Sequence, residues 1–370
     1  MDVVSNIQAS TISDGLGKGT VLDRWRLPDG TLYVDNAATR PMLPEVAECM
    51  ARLMGNTPLN ASSSHRFGQK SRSFLEDSRA FILEEMNAPS GSQLVFNSGA
   101  TEGVTAALTS VFFSQPGKNH IVTATTEHKA VLNTCAFLED AGAEVTYLNV
   151  NKFGQISLDE LREVIRPTTC AVCLMWVNNE TGSIFPIRKI GDICISSGVR
   201  LVVDATQALV KVPIDLVELH GVDVLVGSAH KIGGPIGVGL MWARNPGHLI
   251  PMIHGGGQEF GKRAGTLNVA GVMGFHAAWE KFDFTAHDCL RAKEELERLL
   301  KGEVEFIGPP NGLFSPFICM ARALNGREKF LMRSDICVSA GSACSEGLLR
   351  DSHVYAQIFD APDDVIRISF

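Results

Sequence analysis

Short apolar runs alternate with helix-length stretches through most of this 370-residue chain, and that alternation is what most restricts its fold. Strand-like runs fall at 93–97, 120–123, 144–149, 171–177, 200–203, 222–226 and 238–242. Helical patterns fall between or before them, at 43–53, 71–86, 102–112, 130–141, 158–165 and 187–196. Runs such as Ala171 to Val177 show no polar alternation, as expected of strands covered on both faces. The order predicts an α/β fold: a mainly parallel seven-stranded sheet with helices on both faces. After about residue 285 the pattern changes. A charged amphipathic helix at 290–301 is followed by strand-like pieces at 317–323 and 336–339 and a closing strand at 364–370. These predict a smaller α+β domain. The expected division is an N-terminal extension at 1–32, a large cofactor-binding domain at 33–285 and a small C-terminal domain at 286–370.

Composition excludes several classes. The formal net charge of -8 gives no electrostatic case for nucleic acid. No apolar run approaches the roughly 18–20 residues of a membrane span. Residues 1–20 carry Asp2 and Asp14 and lack the apolar core of a secretory signal. Nine cysteines, an odd number without framework spacing, fit free thiols in a reducing cytoplasm. Cys170 and Cys173 form a CxxC pair, but inside an apparent strand. Residues three apart on a regular strand face opposite ways, so the pair is not expected to grip a metal. The glycine-rich stretch from His254 to Thr266 does not match a dinucleotide fingerprint.

Candidate chemistry collects where strands end. Ser228-Ala229-His230-Lys231 follows one apolar run and precedes Ile232-Gly233-Gly234-Pro235. Lys231 is either a solvated strand-end lysine or a Schiff-base lysine, whose cofactor would need small neighbours and polar donors. Val95 to Glu102 is a strand, a small-residue turn and a helix start. It is either a simple N-cap or a phosphate cradle, with Gly99 and Ala100 allowing close approach and Thr101 adding a hydroxyl. Asp204 ends another run. It either caps the next helix or keeps a pyridine nitrogen protonated, with Gln207 as a donor to the ring oxygen. His128 can stack on a ring and exchange protons near neutrality. Asn179 sits in a turn or contacts a cofactor oxygen or a substrate carboxylate. Cys344 lies among small residues in Ser339 to Gly347, unlike a structural cysteine. Arg367 is the one charge in an apolar closing strand, so it needs an anion: an internal carboxylate or a substrate's.

Taken together, these segments resemble the pyridoxal-phosphate-dependent cysteine desulfurases of the class V aminotransferase group. The likeness runs from Tyr33-Val34-Asp35-Asn36-Ala37-Ala38-Thr39 to Arg367. It includes Asn60 to His65, Ser98 to Glu102, Thr126 to Lys129, Val177 to Gly182, Val203 to Gln207, Ser228 to Lys231 and Gly341 to Cys344. The setting of Cys344 is similar to the branch with a long mobile cysteine loop, which serves iron–sulfur cluster assembly and tRNA thiolation.

The resemblance implies a type I aminotransferase-like fold and pyridoxal 5'-phosphate as cofactor. It implies that Lys231 forms the Schiff base, His128 stacks on the ring, and Asp204 pairs with the pyridinium nitrogen. Gln207 and Asn179 then contact the ring oxygen, and Ala100, Thr101, Ser228 and His230 hold the phosphate. Thr266 reaches the phosphate of a partner subunit, which implies a homodimer. Arg367 holds the carboxylate of L-cysteine. Cys344 takes the sulfur as a persulfide, releases L-alanine, and passes the sulfur to an acceptor or scaffold protein. The alternatives are a C–S lyase or aminotransferase of the same fold without that relay, and a catalytically poor assembly subunit. Family members usually continue past the closing strand with a glycine, an arginine and a helical segment, so the small domain is expected to be less stable or covered by a partner. About thirty residues precede Tyr33, where the family normally has few.

Overall fold

The computed structural model describes residues 20–308, 313–341, 352–360 and 362–370. Its strands are β1 (Leu32–Tyr33), β2 (Gln93–Asn97), β3 (His120–Ala124), β4 (Glu144–Leu148), β5 (Thr169–Met175), β6 (Arg200–Asp204), β7 (Val222–Ser228), β8 (Gly239–Ala243), β9 (Val304–Ile307), β10 (Ile318–Ala323), β11 (Ile336–Cys337) and β12 (Val365–Ser369). Its α-helices are α1 (Pro44–Asn56), α2 (Arg66–Glu85), α3 (Ala100–Phe113), α4 (Lys129–Asp140), α5 (Leu158–Val164), α6 (Ile187–Ser197), α7 (Val269–Glu280), α8 (Ala286–Leu299), α9 (Arg327–Leu331) and α10 (His353–Ile358).

Seven strands form one sheet in the order β2-β8-β7-β6-β5-β3-β4. Pairings among β4, β3, β5, β6 and β7 are parallel, and β8 runs antiparallel to both of its neighbours. All seven residues of β5 are buried, which explains its continuous apolar character. One face, carrying Val95, Ile121, Val202 and Val224, packs on Val104 and Leu108 of α3 and Val131 and Leu138 of α4. The other face packs on α6 and α7 through Ile190, Ile193, Val272 and Phe275.

The structure departs from the sequence reading in places. Helix α7 was not expected; all but its last residue are buried, so it lacks the polar face that marks an amphipathic helix. Helix α2 begins five residues before the expected 71, at Arg66, because His65 caps it: His65 Nδ1 accepts the Gly68 N–H at 3.3 Å. Cys170 and Cys173 do not face apart; both join one apolar cluster. The register slips there, with His120 opposite Thr169 and Ile121 opposite Ala171, so Cys170 is the extra residue of a bulge. A bulge re-aims its side chain, which voids the face argument. Burial pushes the Cys170 thiol up to about 11 and Cys173 well above its ordinary value.

Residues after 285 build an antiparallel sheet, β12-β10-β9, with β1 and β11 paired in parallel beside it. The described part of the N-terminal extension belongs with this region. Its 3-10 turn, Val21–Trp25, lies on α8: the Val21 N–H donates to Glu295 Oε2 at 3.0 Å, and Arg24 pairs with Asp283 at 2.7 Å. The Trp25 ring sits 5.3 Å from Phe370 and 5.4 Å from Phe284. Phe370 is fully buried. Phe370, which follows the closing strand, is therefore packed against the chain's own extension. Removing that cover should be costly. Trp25→Ala should lower unfolding free energy by about 3–5 kcal/mol, the usual range for a buried Trp. Urea unfolding measures it, and a loss under about 1 kcal/mol would show that Trp25 does not hold this region.

Candidate active site

Parallel strands present their C-terminal ends to one edge, where α/β sheets bind ligands. Here that edge opens into a cavity of about 280 Å³. Ten expected site residues line it: Ala100, Thr101, His128, Asn179, Asp204, Gln207, Ser228, His230, Lys231 and Arg367. They come from strand ends, the turns and helix starts that follow them, and the middle of β12, all distant in sequence. Thr266 is exposed and does not line the cavity of this chain. Cys344 lies outside the described residues.

The turn after β2 is shaped for an anion. No side chain caps α3, whose N-cap is Gly99, so the simple-cap alternative is not what the structure shows. The first-turn N–H groups of such a helix lack intrahelical acceptors and carry the positive end of its dipole. Gly99 has φ +146°, and a Cβ there would meet Ser228 Oγ at 3.3 Å. Gly239 on the neighbouring strand is tighter, since its Cβ would lie 2.5 Å from Gly99 Cα. The backbone and the Ser228 hydroxyl thus close on a space that side chains would fill. Glu102 accepts the Ser98 N–H at 2.9 Å and pairs with Arg263 at 2.9 Å. That pair ties the Thr266-bearing loop to the start of α3. Deeper in, Glu259 of this loop is buried against Arg79 at 2.7 Å and accepts the Phe96 N–H at 2.6 Å.

Lys231 lies in the 3-10 turn Ala229–Ile232, which Gly233 ends at φ +84°. Its Nζ donates to the carbonyls of Ala37 and Ala38, both at 2.7 Å. Gln207 Nε2 donates to the same Ala37 oxygen at 2.9 Å, and Gln207 Oε1 accepts from Lys211 Nζ at 3.2 Å. Three cationic groups, Arg40, Lys211 and Lys231, thus crowd this wall. Burial, then Arg40 and Lys231, bring Lys211 down to about 7. Burial, then Lys231 and Lys211, bring His230 down to about 4, so its imidazole is neutral at pH 7. His230 Nδ1 lies 3.1 Å from Thr39 Oγ1.

Asp204 is buried at the end of β6 and accepts the Thr206 N–H at 2.9 Å. No helix follows it before β7, so it is not a helix cap. His128 caps α4, its Nδ1 accepting the Ala130 N–H at 3.0 Å. That bond places the proton of the neutral ring on Nε2. Behind it Glu127 is fully buried, and burial keeps its carboxyl well above the carboxylate range. Arg367 is 1% exposed, and its anion in this structure is internal: Nη2 meets Asp35 Oδ1 at 2.7 Å, while Nη1 donates to Asn179 O at 2.9 Å. Sequence reasoning assigned no roles to Asp35, Ala37, Ala38, Thr39 or Lys211. The signal for the first four was the Tyr33 to Thr39 motif, which entered only as part of a likeness.

The class V aminotransferase family model matches residues 32–370. The chain belongs to that family. Class V aminotransferases are pyridoxal-phosphate-dependent, and the residues present fit that group: an amine at Lys231, a backbone cradle at Gly99 and a strand-end carboxylate at Asp204. The chain is 37% identical over 344 residues to cysteine desulfurase IscS of Dictyoglomus turgidum, covering 88% of this chain and 85% of the relative. It is 40% identical over 342 residues to cysteine desulfurase IscS of Pectobacterium carotovorum, covering 87% and 83%. Among solved structures, SspA in complex with cysteine superposes with a TM-score of 0.82 at 31% identity, covering 91% of this chain and 98% of that one. A NifS-like protein gives 0.82 at 30% identity, covering 92% and 93%. Within the family the chain therefore sits in the cysteine desulfurase branch, and its sheet and helices follow the α/β plan of these neighbours.

Proposed function

We propose that this protein is a cysteine desulfurase that converts L-cysteine to L-alanine and carries the sulfur away as a persulfide on Cys344. The observation that carries the reading is the convergence of Lys231, Asp204, His128 and Arg367 on one cavity, in a chain whose relatives are cysteine desulfurases. A structural relative solved in complex with cysteine supports L-cysteine as the substrate.

Pyridoxal phosphate, when bound, supplies an electron sink for negative charge at the substrate Cα. Lys231 would hold it, with Ala100, Thr101, Ser228 and neutral His230 around its phosphate and Asp204 at its ring nitrogen. His128 would lie over the ring, with Gln207 and Asn179 at its oxygen. The chain's own groups then move protons and sulfur. Lys231 Nζ takes the substrate Cα proton. The Cys344 thiolate attacks the substrate sulfur; an S–S bond forms, the substrate C–S bond breaks, and its electron pair stays with Cβ. Cβ and Cα are then protonated, so cysteine plus thiol become alanine plus persulfide. The described residues on either side of Cys344 are anchored close to residues that adjoin the cavity lining. Ser339 donates to Asp35 at 2.7 Å, Ser352 bonds to buried Glu180, and His353 Nε2 is 3.0 Å from the Glu127 carbonyl. Described residues on both sides of Cys344 thus bond to sequence neighbours of the cavity-lining residues His128 and Asn179 and to the ion-pair partner of Arg367.

Further parts of the reading are proposals of the same kind. Exposed Thr266, on a loop anchored by Arg263 and Glu259, fits a contribution to a partner subunit's phosphate site and hence a homodimer. Eight described cysteines are free thiols, which fits a reducing, cytoplasmic setting. The acceptor would be a protein of iron–sulfur cluster assembly or of tRNA or cofactor thiolation. We place the large domain at 33–285 and the small one at 286–370, with the described end of the extension packed on the latter. Product analysis tests the activity. L-Cysteine should yield alanine and a single persulfide mapping to Cys344, whereas pyruvate and free sulfide would mark a C–S lyase. Absence of any turnover in the purified protein would mark a non-catalytic subunit.

A further inference from the structure

We infer that Asp35 is a resident carboxylate at the substrate-carboxylate position, occupying Arg367 until an amino acid arrives and then giving way to it. The inference rests on the proposed role of Arg367 as the group that takes the substrate carboxylate. Arg367 lines the cavity and is almost wholly enclosed. Its Nη2 is held by Asp35 Oδ1 and its Nη1 by the Asn179 carbonyl, while its buried Nε has no partner among the described residues. Two of the five guanidinium N–H groups are taken in this structure, one of them by an anion, so an incoming carboxylate meets a guanidinium that already carries a carboxylate. Fork-like recognition of a carboxylate uses two parallel N–H groups. Two carboxylates on one guanidinium in an enclosed site leave a net negative charge and repel each other.

Asp35 is the partner able to move. Its side chain is 15% exposed against 1% for Arg367. Its second oxygen accepts the Ser339 hydroxyl at 2.7 Å, so it keeps a hydrogen bond after leaving Arg367. Its backbone carbonyl, which accepts the Ala38 N–H at 3.0 Å, can stay in place while the side chain turns. That carbonyl begins the turn delivering Ala37 and Ala38 to Lys231. An internal carboxylate in this position keeps Arg367 paired in the resting protein. It also opposes every ligand carboxylate that binds, and it acts on ligand affinity through Arg367 as a positioning residue.

The test uses cofactor-loaded protein and L-alanine, which has the amine and carboxylate but no sulfur, followed by the change in cofactor absorbance. Asp35→Asn keeps the shape and removes the charge. It should tighten L-alanine by at least roughly tenfold, a lower bound on what relieving one like-charge juxtaposition gives. Ethylamine, which lacks the carboxylate, should bind as it does to the parent. Unchanged or weaker L-alanine binding would show that Asp35 is a static brace for Arg367 and overturn the exchange. A crystal of the parent with L-alanine decides independently of the variant. Asp35 beyond hydrogen-bond reach of Arg367 supports exchange, and both carboxylates on the guanidinium overturn it. Arg367→Lys separates the two readings: if it leaves L-alanine affinity unchanged, the role given to Arg367 is wrong.

Discussion

Lys231→Ala should lose turnover by roughly 10⁴-fold or more, the upper range for a positioned general base. The visible absorbance of bound cofactor should disappear with it. Among the described residues that line the cavity there is no second lysine. Lys211, the other amine on this wall, is bonded to Gln207 and adjoins a different cavity. The loss should not come from unfolding. Lys231 Nζ serves the Ala37 and Ala38 carbonyls, and Ala37 O keeps the Gln207 donor. Losing the charged hydrogen bond to the Ala38 carbonyl, which lines the cavity, costs about 1.5–3 kcal/mol, within the stability of an ordinary domain. Lys231→Arg sharpens the test. A guanidinium can still reach the carbonyls and stays charged, but it neither forms the Schiff base nor gives up its proton. Arginine should therefore restore the melting temperature and leave activity absent. Turnover by either variant near the parent rate would remove Lys231 from the chemistry.

Cys344→Ala should behave in the opposite way. Cofactor absorbance and its response to L-cysteine should persist, while persulfide and alanine formation fall to background. Nucleophilic sulfur needs the thiolate, and burial suppresses thiolate. Burial pushes Cys135, Cys194, Cys289 and Cys319 up to about 12 and Cys170 to about 11. Cys49, Cys173 and Cys337 are also raised, chiefly by burial. Every described cysteine is thus a poor replacement, and none belongs to the cavity lining. Mass mapping after exposure to L-cysteine reads the result directly. If the variant still loads sulfur and releases alanine at the parent rate, the relay through Cys344 is wrong.

Much of this was legible before any coordinates. Buried parallel strands read as continuous apolar runs, and all seven runs became strands of one sheet. Residues at the ends of those runs, Asp204, His128, Ser228 and Lys231, could be assigned to one edge because parallel strands end together. The boundaries were less legible: β5 begins at Thr169 rather than 171, and Cys170 is a bulge that period-2 reasoning cannot anticipate. Helix α7 carried no amphipathic signal because it is buried nearly all round.

The chain by itself determined what chemistry was available: a lysine among small residues, a strand-end carboxylate, a histidine, a cysteine among small residues and an arginine in an apolar strand. Local patterning reaches that far because hydrophobic period and turn residues act over a few positions. Tertiary structure alone decided the strand order, the antiparallel insertion of β8 and the covering of Phe370 by Trp25. It also decided that the anion beside Arg367 is Asp35, 332 positions away. Such pairings depend on which elements the whole core brings together, and no pattern within either segment records its partner.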